Sequence, residues 1–333
     1  MKEYEIRPKE LLDKLLELGA KDADELLQSA HEFEDRNCPG CGGHRADPAF
    51  AKFGFDYVSC GDCRTLFVNP SPMGSALDGF YRDSASAAYW ARVFYPSVAQ
   101  ARQQKILAPR AGEIARRMEE LGHGVNFLTD VGAGAGAFLE EIAKFYPDGE
   151  LAAVEPNGEM AETCRENGFR THEGNADDAA THEDWNGRAD LVTSFEVIEH
   201  VADTVAFMKG LAALTRPGGL ILITGLHGGG YDIMTLGGAA KAVSPPHHLN
   251  FLSRAGVRRL LERSGLEEIS FETPGKLDVD IVTNAYAGQP GLAKDPFLRF
   301  LMTEADEKTK EDFQAFLADA GLSSHMRIIA RKN

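Results

Sequence analysis

The stretch 127-FLTDVGAGAGAFLEEIAKFY-146 reads as a short apolar strand, a turn with glycine at 132, 134 and 136, and an amphipathic helix. Glycines at alternate positions let the backbone come close to a ligand, and the start of the following helix offers unpaired N–H groups and a positive dipole end. Turns of this kind bind several classes of nucleotide, so the charges around the turn decide which one is meant.

Two acidic residues supply that information. Asp130 stands two residues before the first glycine, where a carboxylate repels a pyrophosphate and attracts a ligand that carries an ammonium and a sulfonium. Glu155 closes the next apolar run, ELAAVE, about 20 residues after the turn, where its oxygens can accept hydrogen bonds from both hydroxyls of a ribose. The ligand indicated is a cationic nucleoside. On these residues the chain resembles the class I S-adenosylmethionine-dependent methyltransferases, whose first motif is an acidic residue, any residue, then Gly-x-Gly-x-Gly, matched here from Asp130 to Gly136. The resemblance spans roughly residues 125 to 272. It implies an α/β, Rossmann-like, doubly wound seven-stranded sheet with S-adenosyl-L-methionine held at Asp130, Gly132, Gly134, Gly136 and Glu155.

Composition agrees with a soluble globular protein: 43% hydrophobic and 26% charged residues leave ample apolar material for a core. A net charge of −16 argues against general nucleic-acid binding, because no excess of Lys and Arg exists to displace phosphate counterions. No apolar run approaches the roughly 18 residues of a membrane span, and MKEYEIRPKELL lacks the apolar core of a signal peptide. Cytoplasmic residence without membrane attachment is therefore the expectation.

Four of the five cysteines, Cys38, Cys41, Cys60 and Cys63, form the pattern C-x2-C-x18-C-x2-C. In a chain without a secretion signal, two such pairs read as a tetrahedral Zn2+ site, with redox-active or unpaired thiols as the alternative. Each pair carries a glycine that suits a tight knuckle. Cys164 lies apart on a predicted helix, as a partly buried apolar residue.

In chain order, residues 1–35 are a helical segment expected to break at Gly19-Ala20. Residues 36–72 are a zinc ribbon with strand character in FAKFGFDYVSC, ending in the turn residues NPSP. Residues 73–124 form a helical lid with an aromatic cluster, including Phe80, Tyr81, Trp90 and Phe94, that either lines an acceptor pocket or packs the lid. Residues 125–333 are the methyltransferase core, with an insertion at about 273–323. Within it, strands are expected near 125–130, 150–155, 169–173, 189–194 and 219–224, and helices near 136–146, 158–167, 203–214 and 253–264.

The resemblance places Asp177 beside the adenine, where it can accept a bond from the exocyclic amine; capping a short helix is its other reading. Ser194, Phe195 and Glu196 end the central strand at the edge where parallel sheets bind ligands, with Glu199 and His200 following. His200 either serves the site or bonds a helix start. Beyond the fifth strand a glycine-rich stretch runs to Pro245-Pro246-His247-His248, before Ser253 caps the next helix. Histidine titrates near neutral pH, so His248 or His247 is the candidate base, with Glu196 and His200 as further candidates; one histidine of the pair can instead hold the loop. In the insertion, Asp278 and Asp280 either bind polar acceptor groups or are solvated.

The expected activity is O- or N-methylation of a small polar or sugar-derived acceptor, possible as a homodimer. The four-cysteine module ahead of the core resembles the sugar C-methyltransferases and glycan-pathway methyltransferases, so C-methylation of a nucleotide-linked keto-deoxysugar is the alternative. A zinc-ribbon interaction protein that binds the cofactor without turnover is the third reading, and the intact Asp130, glycines and Glu155 weigh against it.

Overall fold

The computed structural model describes residues 1–333, apart from the side chains of Ser75, Asp78 and Arg82. Its strands are β1 (Ala46–Lys52), β2 (Phe55–Cys60), β3 (Leu66–Val68), β4 (Phe127–Val131), β5 (Glu150–Glu155), β6 (Arg170–Glu173), β7 (Ala189–Phe195), β8 (Thr215–Leu226), β9 (Asn250–Phe251), β10 (Leu266–Glu272) and β11 (His325–Lys332). By compactness the chain divides into two units. One comprises Met1–Tyr95, Gly225–Arg258 and Phe271–Arg327, and the other Pro96–Thr224, Arg259–Ser270 and Ile328–Asn333.

The second unit is an α/β Rossmann-like fold whose seven-stranded sheet has the order β10-β11-β8-β7-β4-β5-β6. β4 is parallel to both β5 and β7, and β7 is parallel to β8. All five residues of β4 are buried, and in β7 only Phe195 is partly exposed, as the near-continuous apolar sequences require for strands covered on both faces. Leu128, Leu139, Ile142, Ala153 and Leu191 form the centre of the core, with Ile114 and Met118 of the helix Ala108–Glu120 packed onto it. The helix behind the glycine turn is shorter than the sequence pattern suggests, Ala137–Ile142, so the turn's own N–H groups matter more than a long helix dipole.

The first unit is built on a four-stranded sheet of order β1-β2-β3-β9, with β1–β2, β2–β3 and β3–β9 all antiparallel. The helix Lys9–Leu26 runs through Gly19 without the expected break. One interior glycine costs only about 1 kcal/mol, which burial of Leu12 and Ala23 on one face outweighs. Residues 73–124 contain the helices Gly74–Asp83, Ala85–Tyr89, Tyr95–Arg102 and Ala108–Glu120, with π-helical turns at Trp90–Phe94 and Gln103–Leu107. Phe94 is fully buried and stacks on Trp90 at 4.8 Å, which is a packing role.

Residues 273–323 form the helices Asp278–Gly288, Pro296–Thr303 and Glu307–Asp319. Asp278 is neither solvated nor open to a ligand. It is 2% exposed and accepts from the Ser323 hydroxyl at 2.6 Å, the Ser324 N–H at 2.6 Å and the Gln314 amide at 2.8 Å. Asp280 accepts from the Glu3 N–H at 2.7 Å and pairs with Lys2 at 3.4 Å, which ties the N-terminus to this layer. Among the described residues, no helix is long and apolar enough to cross a membrane.

Candidate functional site

At the end of β4 the backbone turns back on β5: the Gly132 N–H donates to Val154 O at 2.8 Å, and Gly136 N–H to Ala133 O at 3.0 Å. Gly132, Gly134 and Gly136 have φ of +74°, +56° and +82°, the left-handed region that side chains disfavour. Room is also short. A Cβ on Gly132 would lie 2.6 Å from the Val197 side chain, and one on Gly136 3.2 Å from Cys164 Sγ, whereas Gly134 has nothing nearer than 4.0 Å. Cys164 is therefore more than filler. Burial pushes its thiol up to about 11, so it stays protonated and donates to Gly134 O at 3.1 Å, backing the turn from within the core.

Two buried carboxylates flank this turn. Glu155 is 6% exposed, accepting from the Gly134 N–H at 2.8 Å on one oxygen and from the Asn157 N–H at 2.9 Å on the other. Each oxygen keeps a second lone pair, which is the arrangement that a pair of ribose hydroxyls needs. Asp130 is 2% exposed and accepts from the Thr193 hydroxyl at 2.7 Å. Burial raises its carboxyl to about 7, against the opposing hydrogen bond from Thr193 and the charge of Arg110. Two acids and a glycine turn that itself carries no Lys or Arg suit a cationic nucleoside and not a pyrophosphate.

The edge of β7 completes the wall. Ser194 is 2% exposed and its hydroxyl donates to Val131 O at 2.8 Å, so its side chain braces the strand. The Phe195 ring meets Phe138 edge-on at 4.6 Å, and the Arg110 guanidinium lies 4.5 Å above it. Glu196 has φ of +54°, a strained conformation for a residue with a side chain, and accepts from the Thr224 hydroxyl at 2.6 Å with Arg110 at 3.6 Å. Arg110 escapes sequence reasoning, since nothing separates it from the other arginines of its amphipathic helix. Asp177 is exposed in the first turn of the short helix Ala176–Ala179, whose N-cap is Asn175. His200 follows in a turn, its N–H donating to Val197 O at 2.9 Å.

In the other unit the structure brings the four cysteines together, all ligand atoms lying within 4.8 Å of one another. Sγ of Cys38 and Cys63 are 3.5 Å apart, as are those of Cys41 and Cys60. A tetrahedron with metal–sulfur bonds of about 2.3 Å has edges near 3.8 Å, so the donor set fits one thiophilic cation. The knuckles also turn N–H groups toward sulfur, Gly43 N–H to Cys41 Sγ and Asp62 N–H to Cys60 Sγ, both at 3.4 Å. Bonds from Cys38 and Thr65 hold the Cys63 thiol well below its usual range, while the Cys63 sulfur and burial drive Cys38 up. Four adjacent thiolates need a cation to ionise together.

His247 and His248 share this unit and differ in their bonding. His247 Nε2 is 2.8 Å from the Ser86 hydroxyl, and its ring meets Phe80 and Tyr81 edge-on at 4.8 and 6.0 Å. Burial, with His248 beside it, lowers its pKa to about 4, leaving it neutral and a poor proton acceptor. His248 has Nδ1 against Ala242 O at 2.5 Å, which assigns the ring proton to Nδ1. The structure brings Asp130, Glu155, the glycine turn, Phe195 and Arg110 together in one unit; the cysteines and the two histidines lie in the other.

Comparison with known proteins matches residues 103–270 to a family described as a methyltransferase domain. The ubiquinone biosynthesis O-methyltransferase of Bradyrhizobium sp. (strain ORS 278) is 26% identical over 191 residues, covering 55% of this chain and 69% of that protein. Its counterpart in Bradyrhizobium diazoefficiens is 27% identical over 51% of this chain and 62% of that one. The chain thus spans 62–69% of the length of these two relatives. Among solved structures, geranyl diphosphate C-methyltransferase from Streptomyces coelicolor A3(2) aligns with a TM-score of 0.42 at 14% identity, over 67% of this chain and 77% of that one.

Proposed function

The chain belongs to the methyltransferase-domain family, and from that premise we propose that it methylates an oxygen or nitrogen atom of a small polar or sugar-derived acceptor. The observation that carries the cofactor half of this reading is the pair of buried carboxylates around the glycine turn, Asp130 and Glu155. S-adenosylmethionine supplies an electrophilic methyl group on a sulfonium, taken by in-line displacement. Glu155 receives the ribose hydroxyls on its free lone pairs, Asp130 draws the ammonium, and Asp177 accepts from the adenine amine. Phe195 and Arg110 wall the site, and the backbone at Ser194 and Glu196 forms its floor. His248 takes the acceptor's proton as the new bond to carbon forms and the bond from that carbon to sulfur breaks, while His247, bonded to Ser86, holds the loop. Glu196 and His200 are the other groups available for that proton.

The names of the curated relatives support oxygen as the methylated atom. The four-cysteine module ahead of the core favours a second reading, C-methylation of a nucleotide-linked keto-deoxysugar. Incubating the protein and labelled cofactor with fractionated metabolites separates the readings. Label in an acid-stable ether or amine supports the first, label on a sugar carbon the second, and no labelled product a binding role without turnover.

The cysteine module is proposed as a structural Zn2+ site. Protein purified from cells should carry close to one zinc per chain by elemental analysis, and Cys60→Ser should unfold the ribbon while β4 to β8 stay folded. Full zinc occupancy with both pairs changed to serine would exclude the assignment.

Asp130 gives cofactor binding a pH dependence of defined sign. Its carboxyl titrates at about 7 in the free protein, and a cationic ligand favours the ionised form. Affinity for S-adenosylmethionine should therefore rise as pH increases through about 7 and level off above it. In Asp130→Asn the rise should vanish; a wild-type affinity that falls with pH over the same range would mean that Asp130 does not face the cation.

Replacing His248 by alanine should lower kcat by about 100-fold without changing cofactor affinity. His247→Ala should act mainly through stability, since burial already keeps that ring from protonating. Near-normal turnover in His248→Ala at saturating acceptor would move the base to Glu196 or His200.

A further inference from the structure

The segment from His248 to Ser253 is tied to the cysteine module at almost every residue. The Tyr57 hydroxyl, on β2 and 1% exposed, donates to His248 O at 2.6 Å. Leu249 O accepts twice, from the Val68 N–H at 3.0 Å and the Arg36 guanidinium at 3.1 Å. Arg36 is held in turn by Val68 O at 3.1 Å and by the face of Phe67 at 5.5 Å. Asn250 and Phe251 form β9, pairing with Phe67 and Leu66 of β3. Ser253 closes the series: its N–H donates to Thr65 Oγ1 at 3.2 Å and its hydroxyl to Cys63 O, while Thr65 Oγ1 lies 3.3 Å from Cys63 Sγ.

The same contact seats a helix start on the knuckle. Ser253 Oγ accepts the Gly256 N–H at 2.9 Å, capping the helix Arg254–Arg263. Gly40, in the first cysteine knuckle, approaches so closely that a Cβ there would lie 2.8 Å from Gly256 Cα, and a Cβ on Gly256 would lie 2.2 Å from Thr65 Oγ1. The two glycines are thus a fitted contact between residues some 200 positions apart in the chain.

We propose that the four-cysteine module is a clamp for residues 248–253, with Tyr57 and Arg36 as positioning residues for His248, so that metal loading of the cysteines and the placement of that imidazole are coupled. The inference deepens the assignment of His248 as base and rests on it only for its catalytic consequence. The mechanical half stands on the side-chain bonds of Tyr57, Arg36 and Ser253 and on the β3–β9 pairing: without the cation the knuckles open, and that pairing loses the strand it is built on.

Hydrogen exchange on the full chain tests the clamp without reference to activity. Compared with zinc-loaded protein, removal of zinc by a chelator should speed exchange across residues 249–253 by about 10-fold or more, with Phe127–Val131 and Ala189–Phe195 unchanged. Opening of residues 36–65 with 249–253 still protected would overturn the proposal. Tyr57→Phe removes only the hydroxyl and should keep zinc at the wild-type ratio, speed exchange at 247–249, and lower kcat by about 10-fold with cofactor affinity unchanged. Protection at 247–249 identical to wild type in Tyr57→Phe would remove Tyr57 from the clamp. Faster exchange with undiminished kcat would support the clamp and count against His248 as the base instead.

Discussion

A carboxylate taken out of water at the end of a parallel strand needs donors, and at Glu155 the backbone supplies them. Gly134 and Asn157 each send an N–H to it, so one buried side chain fixes the glycine turn after β4 and the start of the helix after β5 at the same time. The left-handed glycines follow from this, because the turn must bend tightly enough for the Gly134 N–H to reach the second strand. Asp130 is the less satisfied partner. Thr193 gives it one bond, and burial leaves it near half-ionised at neutral pH, a charge deficit that a cationic ligand removes.

The unit that holds the four cysteines shows the same logic with sulfur in place of oxygen. Four cysteine sulfurs gathered within 4.8 Å cannot all ionise unless a cation joins them, and the knuckle from Cys60 to Cys63 joins β2 to β3. Those strands extend their ladder to β9, and β9 adjoins the histidine pair. Buried rings of this module, Phe55, Tyr57 and Phe67, pack with Phe251, so the module and a segment far away in sequence share one small core.

Much of this was legible in the residues. The buried parallel strands announce themselves as short, mainly apolar runs, and β5 and β7 fall within a residue or so of their expected limits. The cysteine spacing and the acidic-glycine motif are local patterns, so they too could be read directly. What escaped reading was non-local. β9 is two residues long and has no periodicity, so its pairing with β3 could not be foreseen. Arg110 looks like any other helical arginine until its ring and carboxylate partners are placed, and Asp278 looks solvated until Ser323, Ser324 and Gln314 close around it. The left-handed backbone at Glu196 has no signature in residue type, since nothing in glutamate asks for it.

The account's central claim is that the buried acid at the end of β5 holds a cationic nucleoside. Calorimetric titration of S-adenosylmethionine into the wild-type protein and into Glu155→Ala tests it most directly, with a nicotinamide dinucleotide as the anionic comparison. The wild type should bind S-adenosylmethionine saturably and the dinucleotide not at all, and the variant should lose about 1–3 kcal/mol, as for a charged hydrogen bond removed. Equal affinity in wild type and Glu155→Ala, or preference for the dinucleotide, would contradict it.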